Sequence, residues 1–260
     1  MERIVVAVGD VHGCIEELDE LLKTIQYNKN QMRLVFLGDL MDRGPEPVAC
    51  VRRVRELGVE CIMGNHEEKH IRWRKHEKNR ERTGKENPMK RMSDDEKLAN
   101  NQLSDQDWTW LKALPMKLEL GHNWWAVHAG CEPRFSLDKQ SPSQIMRVRY
   151  VNQNGVAQAL NPDKSQPEGT VYWTEQWNGP EHIVYGHCVH DLKNPRHDYS
   201  PYRGHSGIHC LGIDTGCCFG GHLTAALFKE PEGLHVIGDR KIEFAQVKAK
   251  QKYYAGYGDE

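Results

Sequence analysis

The sequence predicts an α/β fold in which two mixed β-sheets pack as layers and carry helices on their outer faces. In the first half, short β-rich runs alternate with stretches of helical periodicity, a pattern typical of parallel strands joined by right-handed crossovers. From Ile208 onward, short runs separated by glycine-rich turns indicate a second, more antiparallel sheet. At 260 residues, we expect a single domain spanning 1–260.

The predicted strands end abruptly in glycine and a polar residue. The run Ile4–Val8 leads into Gly-Asp-Val-His-Gly, and later runs lead into Gly38-Asp39, Gly64-Asn65-His66, His128-Ala129-Gly130 and Gly186-His187. Because ligands of such sheets gather beyond the carboxyl ends of the strands, we expect these polar side chains to lie together.

Two apolar stripes between the first three strands predict amphipathic helices. They consist of Ile15, Leu18, Leu21, Leu22 and Ile25, and of Val48, Val51, Val54 and Leu57. A helical insertion is expected at about 69–107, where a basic stretch is followed by an acidic one. Its charges are interpreted either as a solvated helix face or as a basic lid over an anionic substrate. The tail Tyr253–Glu260 is expected to be loosely ordered.

Charge and cysteine content narrow the function classes. A net charge of −2 with 28% charged residues excludes a uniformly basic surface that would coat nucleic acid. The apolar run after the first three residues is only about six residues long, too short for a signal peptide core or a membrane span. Eight cysteines occur without a C-x-x-C pair, which favours reduced thiols. We therefore expect a cytoplasmic protein without a membrane partner.

A metal site accounts for the residues at the strand ends. They are Asp10, His12, Asp39, Asp42, Asn65, His66, His128 and His187. Carboxylates held a few ångströms apart repel each other, and a bound cation resolves that repulsion. Imidazole nitrogens together with carboxylate oxygens suit Mn, Fe or Zn and not calcium.

The ordered motifs resemble the signature of the calcineurin-like metallophosphoesterases. The second motif, Gly38–Gly44, has the form G-D-x-x-D-R-G, which resembles the phosphoprotein-phosphatase-type branch. The resemblance implies the layered sandwich of that family and a dinuclear phosphoester hydrolase in which a metal-bridging hydroxide attacks phosphorus in line. It places Asp10 and His12 on one metal and Asn65, His128 and His187 on the other, with Asp39 bridging the two. Two divalent ions are implied, with Mn²⁺ suggested in vitro and Fe or Zn as alternatives.

The same resemblance assigns roles in catalysis and phosphate binding. Arg43, with Asn65, would bind the phosphate, His66 would act as general acid, and Asp42 would orient His66. The simpler interpretations are a turn arginine paired with Asp42 and a histidine that caps the following helix.

Two further positions remain open. A second phosphate-binding arginine is sought among Arg134, Arg147 and Arg149, with Arg149 preferred and Arg147 next, although all could be surface residues. Asp214 is expected to accept a proton from a metal-bound histidine, or else simply to open a tight turn.

The stretch Gly212–Gly221, followed by Leu-Thr-Ala, resembles bacterial and phage-like diadenosine tetraphosphatases and bacterial polynucleotide phosphatase modules. The expected substrates are dinucleoside polyphosphates or phosphomonoesters, including phosphoserine and phosphothreonine in proteins. A nucleic-acid end phosphatase and a non-catalytic metal-binding scaffold are the alternatives. The oligomeric state is left open.

Overall fold

The computed structural model describes residues 4–90, 92–200, 207–229 and 241–255. The strands are Ile4–Val8 (β1), Met32–Phe36 (β2), Glu60–Cys61 (β3), Lys117–Gly121 (β4), Trp124–Val127 (β5), Tyr150–Val151 (β6), Ala157–Gln158 (β7), Val171–Tyr172 (β8), His182–Tyr185 (β9), Arg196–Ser200 (β10), Ile208–Gly212 (β11), His222–Lys229 (β12) and Lys241–Lys248 (β13). The α-helices are Ile15–Thr24 (α1), Pro47–Leu57 (α2), Asn65–Thr83 (α3), Asp94–Gln102 (α4), Asp105–Lys112 (α5) and Pro142–Ile145 (α6). Short 3-10 helices lie at Leu137–Lys139, Trp173–Glu175 and Cys217–Phe219.

The first sheet has the strand order β13-β12-β1-β2-β3. The pairs β1–β2 and β2–β3 are parallel, as the alternation of strands and helices predicts, and α1 and α2 provide the crossovers. The strand expected at 59–63 pairs only over Glu60–Cys61, because the N–H of Met63 turns away to the carbonyl of Pro115 at 2.8 Å. This early departure brings the next loop towards the end of β2.

The second sheet has the order β10-β11-β9-β5-β4, and a small third sheet has the order β7-β6-β8. The expectation that all strands after Ile208 belong to a second sheet is wrong for β12 and β13. The residues Leu223–Phe228 of β12 are buried on both faces, so this strand needs cover on both sides. It obtains that cover in the first sheet, antiparallel to β1 and to β13.

The two large sheets pack face to face, which confirms the predicted layered α/β architecture. Side chains such as Val5, Val35, Val184 and Leu211 fill the space between the sheets. Trp124 is fully buried there, with its ring centroid 5.0 Å from that of Phe228. Alternate residues of the same strands face the helices, which is the period-two pattern of a sheet covered on both sides.

The segment at 69–107 is helical over most of its described length, since it holds most of α3, all of α4 and the start of α5. Within the described ranges, no helix combines the length and the apolar character that crossing a bilayer requires.

The C-terminal segment is held more firmly than the sequence suggests. The backbone N–H groups of Tyr253 and Tyr254 each donate to the carbonyl of Cys218 at 2.9 Å. The hydroxyl of Tyr253 donates to Glu17 at 2.7 Å. The expectation of a loose tail is therefore wrong for these two tyrosines, and the rest of that expectation, 256–260, lies outside the described residues.

Candidate metal centre and active site

The loops at the ends of β1, β2, β3, β5 and β9 bring the eight strand-end residues together. All eight are at most 9% exposed: Asp10, His12, Asp39, Asp42, Asn65, His66, His128 and His187. Asp39 lies at the centre, with its Oδ2 atom 3.3 Å from His128 Nε2 and 3.6 Å from His12 Nε2. The sequence pattern alone therefore located this cluster.

Backbone geometry at the site is unusual. Five site residues have φ between 43° and 68°, in the left-handed region that favours glycine: His12, Asp39, Asp42, Arg43 and His187. Each such conformation costs about 1–3 kcal/mol in a residue with a β-carbon, and such costs are concentrated at functional sites. At these five residues, the backbone adopts a less favourable conformation that directs the side chains into the cluster.

The donor groups fit divalent cations. His12, Asp39 and His66 form one group, and Asp39, His128 and His187 form another, each with ligand atoms within 4.8 Å of one another. Asp39 belongs to both groups, which is consistent with a bridging position between two cations.

Two carboxylates at this site, those of Asp10 and Asp214, lack enough counter-charge. Asp10 Oδ1 and Asp214 Oδ2 are buried without a hydrogen-bond partner among the described residues. Burial, followed by the charges of Asp214 and Asp39, raises the pKa of Asp10 well above its usual range. Burial also raises the pKa of Asp214, to about 6. Bound cations would remove this penalty and satisfy the unpaired oxygens.

Backbone carbonyls set the orientation of two histidines. His12 Nδ1 lies 2.7 Å from the carbonyl of Met41, and His128 Nδ1 lies 2.7 Å from that of Leu37. Because a carbonyl only accepts, each Nδ1 carries the proton and each Nε2 presents a lone pair to the cluster. This is the tautomer that a metal-binding histidine needs.

Asp10 is held by the loop that carries His187. The N–H of His187 donates to Asp10 Oδ2 at 2.9 Å. A β-carbon on the preceding residue, Gly186, would lie 2.0 Å from Asp10 Oδ1. Glycine at 186 is therefore required for the close approach of this loop to Asp10.

A chain of hydrogen bonds supports His66. His66 Nδ1 lies 2.6 Å from Asp42 Oδ2, and Asp42 Oδ1 lies 2.6 Å from His70 Nε2. Asn100 Nδ2 in turn lies 3.1 Å from His70 Nδ1. Burial opposes ionisation of Asp42, but the hydrogen bonds from His66 and His70 outweigh it and hold the pKa of Asp42 well below its usual range.

A comparison with known families agrees with this geometry. The sequence profile of the calcineurin-like phosphoesterases matches residues 4–224 of the chain. The chain belongs to the calcineurin-like phosphoesterase family. This confirms the resemblance carried by the motifs: the protein is a metal-dependent phosphoester hydrolase, and the comparisons do not favour a non-catalytic scaffold.

The relatives are tetraphosphatases. The bis(5′-nucleosyl)-tetraphosphatase PrpE of Oceanobacillus iheyensis, described as asymmetrical, is 30% identical over 242 residues, which cover 88% of this chain and 90% of the relative. The symmetrical bis(5′-nucleosyl)-tetraphosphatase of Shewanella sediminis is 27% identical over 271 residues, covering 84% of this chain and 92% of the relative. A crystal structure provisionally described as a diadenosine tetraphosphatase has a TM-score of 0.69 and 25% identity, covering 95% of this chain and 94% of that one.

Arg43 lies beside a predicted metal ligand of this phosphoesterase, and Arg149 influences the residue that follows another. Arg43 Nη1 lies 2.9 Å from His12 Nε2, and its guanidinium lies 5.1 Å from the ring centroid of Phe219. Burial raises the pKa of the Cys188 thiol, next to His187, and the positive charge of Arg149 opposes that shift.

The other candidate arginines are paired with carboxylates. Arg147 Nη2 lies 2.6 Å from Glu68, and Arg134 Nε lies 2.8 Å from Glu132. Of the three candidates, Arg149 is the one whose charge acts on the residue after a predicted metal ligand, and its role in phosphate binding stays a prediction.

Asp214 has the geometry of a turn residue in the phosphoesterase. Its Oδ1 atom accepts a hydrogen bond from the N–H of Gly216 at 3.0 Å. The proposed contact with a metal-bound histidine stays a prediction, and carbonyl groups already fill the equivalent role at His12 and His128.

A cavity of about 1000 Å³ opens beside the predicted catalytic residues. Its lining includes Asp42, Arg43, His66, Lys69, Glu96 and Tyr254. From the basic stretch 69–91, only Lys69 is among the described lining residues, and its Nζ atom lies 2.6 Å from Glu96. The insertion therefore presents its acidic part to the cavity, which does not favour the basic lid.

Glu67 supports the site in a way that the sequence did not reveal. Its Oε2 atom accepts from the N–H groups of Asp39 and Gly64 at 2.8 and 3.0 Å, and its Oε1 atom accepts from those of Leu40 and Met41 at 2.9 and 3.1 Å. This buried carboxylate joins the start of α3 to the loop of Asp39. The available signal was its place three residues after Gly64, where a carboxylate caps a helix.

We expect the substitution Glu67→Gln to lower the free energy of unfolding by about 1.5–3 kcal/mol, because charge-assisted hydrogen bonds to buried N–H groups are lost. Urea denaturation would measure the change. The neighbouring residue Glu68, which is half-buried and paired with Arg147, provides the control. Glu68→Gln should lose at most about 1 kcal/mol. Equal stabilities of the two variants would contradict the role given to Glu67.

Proposed function

We propose that this phosphoesterase hydrolyses dinucleoside polyphosphates such as diadenosine tetraphosphate. The proposal rests on the convergence around Asp39 of histidines, carboxylates and an amide that suit two divalent cations, beside a cavity lined by Arg43 and His66. The cations would be held by Asp10, His12, Asp39, Asn65, His128 and His187. Mn²⁺ is the proposed metal in vitro, and Fe and Zn suit the same ligands.

The bound cations would supply Lewis acidity and activation of water near neutral pH. The protein's own residues then have separate tasks. Arg43 and Arg149 would bind phosphate oxygens, for which a guanidinium is better suited than an ammonium group. Asn65 Oδ1, 2.9 Å from His128 Nε2, is placed to share a cation with that histidine.

His66 would hold a proton at Nε2 and donate it to the leaving oxygen. Its Nδ1 atom is engaged by Asp42, so the other nitrogen faces the cluster, 3.9 Å from Asp39 Oδ2. Asp42 and His70 act as positioning residues, because they fix the ring and stabilise its charged form.

Two observations support the choice of a small phosphoanhydride substrate. The relatives whose full length this chain nearly spans are tetraphosphatases by name. The cavity that Arg43 lines is also lined by residues of α4 and by Tyr253 and Tyr254, and its size of about 1000 Å³ suits a small molecule.

The bridging position of Asp39 leads to a prediction about metal content. We expect Asp39→Asn to reduce bound Mn²⁺ from two ions per chain to one or none, because the shared carboxylate offsets repulsion between the cations. Equilibrium dialysis followed by metal analysis would measure this. Asp138→Asn, at an exposed carboxylate, is the control. Retention of two ions in the Asp39 variant would refute a bridging role.

The role of His66 leads to a prediction about leaving groups. On phenyl phosphate, we expect His66→Asn to lower kcat by roughly 100- to 10,000-fold, the usual value of general acid catalysis. The loss should be smaller on 4-nitrophenyl phosphate, whose leaving group needs protonation less. His122→Asn, at an exposed turn, should behave as the wild type. Equal losses on both esters would exclude proton donation by His66.

The substrate is tested by a comparison of kcat/KM values. We expect kcat/KM to be higher for diadenosine tetraphosphate than for a phosphoprotein, a 3′-phosphorylated oligonucleotide or 4-nitrophenyl phosphate. Of these four compounds, only diadenosine tetraphosphate contains both a polyphosphate and a nucleoside. Chromatography of the products separates cleavage to AMP and ATP from cleavage to two ADP. A preference for the protein or the oligonucleotide, or equal slow turnover of all four, would overturn the proposed substrate.

A further inference from the structure

The cavity beside the catalytic residues extends well beyond the space that a phosphoryl group needs. Asp42 and His66, both nearly buried, are among its lining residues. Residues of α4 and the C-terminal tyrosines line it as well. Its volume of about 1000 Å³ is at the upper limit for pockets that enclose small organic ligands. A substituent attached to the bound phosphate therefore has room in this cavity.

Tyr254 offers an aromatic face in this cavity. It is 40% exposed, although its backbone N–H is bonded to the carbonyl of Cys218 at 2.9 Å. The preceding residue is fixed as well, through the hydroxyl of Tyr253 and the buried carboxylate of Glu17. Because the backbone is already ordered, a ligand that stacks on Tyr254 would lose little conformational entropy of the protein.

Phe219 connects this tyrosine to the phosphate-binding arginine. Its ring centroid lies 6.1 Å from that of Tyr254, and the guanidinium of Arg43 lies 5.1 Å from the same ring. Tyr254 is thus one aromatic ring away from Arg43. A molecule with a phosphate at Arg43 and a planar base at Tyr254 would use both contacts.

Other lining residues of the cavity suit a nucleoside better than more phosphate. Leu98 on α4 is 57% exposed and lines the cavity, where it offers an apolar surface to a planar ring. The carboxylates of Glu46 and Asp95 also line it. Carboxylates accept hydrogen bonds from ribose hydroxyls but repel phosphate oxygens. The nucleoside at the end of a dinucleoside polyphosphate matches these lining residues, whereas the polyphosphate chain in its middle does not.

We infer that the part of the cavity lined by Leu98 and Tyr254 is a nucleoside-binding subsite, in which the base stacks on Tyr254. This inference rests on the proposed function and names the residues that recognise one end of its substrate. The ribose lies towards Glu46 and Asp95, and the 5′-phosphate lies towards Arg43.

The test uses competitive inhibition of 4-nitrophenyl phosphate hydrolysis by AMP and by inorganic phosphate. Loss of base stacking in Tyr254→Ala should raise the inhibition constant of AMP by roughly 5- to 150-fold. The inhibition constant of inorganic phosphate, which has no base, should not change. AMP should inhibit the Tyr254→Phe variant as strongly as it inhibits the wild type, because stacking does not need the hydroxyl. Tyr199→Ala, at a 56% exposed tyrosine that does not line this cavity, is the matched control.

The subsite is refuted if AMP inhibits the wild type no better than phosphate does. It is also refuted if Tyr254→Ala raises the inhibition constants of AMP and phosphate by the same factor. Its failure can be told apart from failure of the proposed function. If the wild type hydrolyses diadenosine tetraphosphate but the inhibition constant of AMP is unchanged in Tyr254→Ala, only the subsite is rejected. If the wild type does not hydrolyse that substrate but Tyr254→Ala weakens inhibition by AMP and not by phosphate, the proposed substrate is rejected and the subsite is retained.

Discussion

One buried carboxylate, that of Asp39, organises the site. Its Oδ1 atom accepts from the N–H of His66 at 3.0 Å, and its Oδ2 atom lies within 3.9 Å of imidazole nitrogens from three different loops. Interactions with the surrounding histidines outweigh burial and lower the pKa of Asp39, so it stays ionised. The two sheets meet at this charge: the ends of β1, β2 and β3 supply six of the eight cluster residues, and the ends of β5 and β9 supply His128 and His187.

The site is held in place by groups that do not touch a substrate. Glu67 ties four backbone N–H groups together, and carbonyls orient His12 and His128. Such fixed donors and acceptors explain how several residues keep left-handed backbone conformations, each of which costs about 1–3 kcal/mol. Burial of apolar side chains in the two layers of the fold offsets that cost. The side chains of the cluster are therefore already oriented for cation binding.

Local patterns in the sequence predicted the α/β class, the parallel β1–β2–β3 unit and the eight residues of the cluster, because strand ends and glycine-flanked polar residues are local signals. They did not predict that β12 returns to the first sheet, since strand pairing depends on partners more than 200 residues away, as in the pairing of Val5 with Phe228. His70 was missed although it lies one helical turn after His66. Its role depends on Asn100, a residue of another helix.

The hydrogen bonds of Tyr253 and Tyr254 have a consequence for biosynthesis. The first motif leaves the ribosome long before these tyrosines, and at about 5–20 residues per second the interval is on the order of 10–50 s. During that time, Glu17 lacks the hydroxyl of Tyr253 and the N–H of Lys250, which donate to it in the folded chain. The hydrogen bonds of this buried carboxylate are therefore completed only when the chain has been made almost to residue 254, whereas His187, the last of the predicted metal ligands, is made earlier.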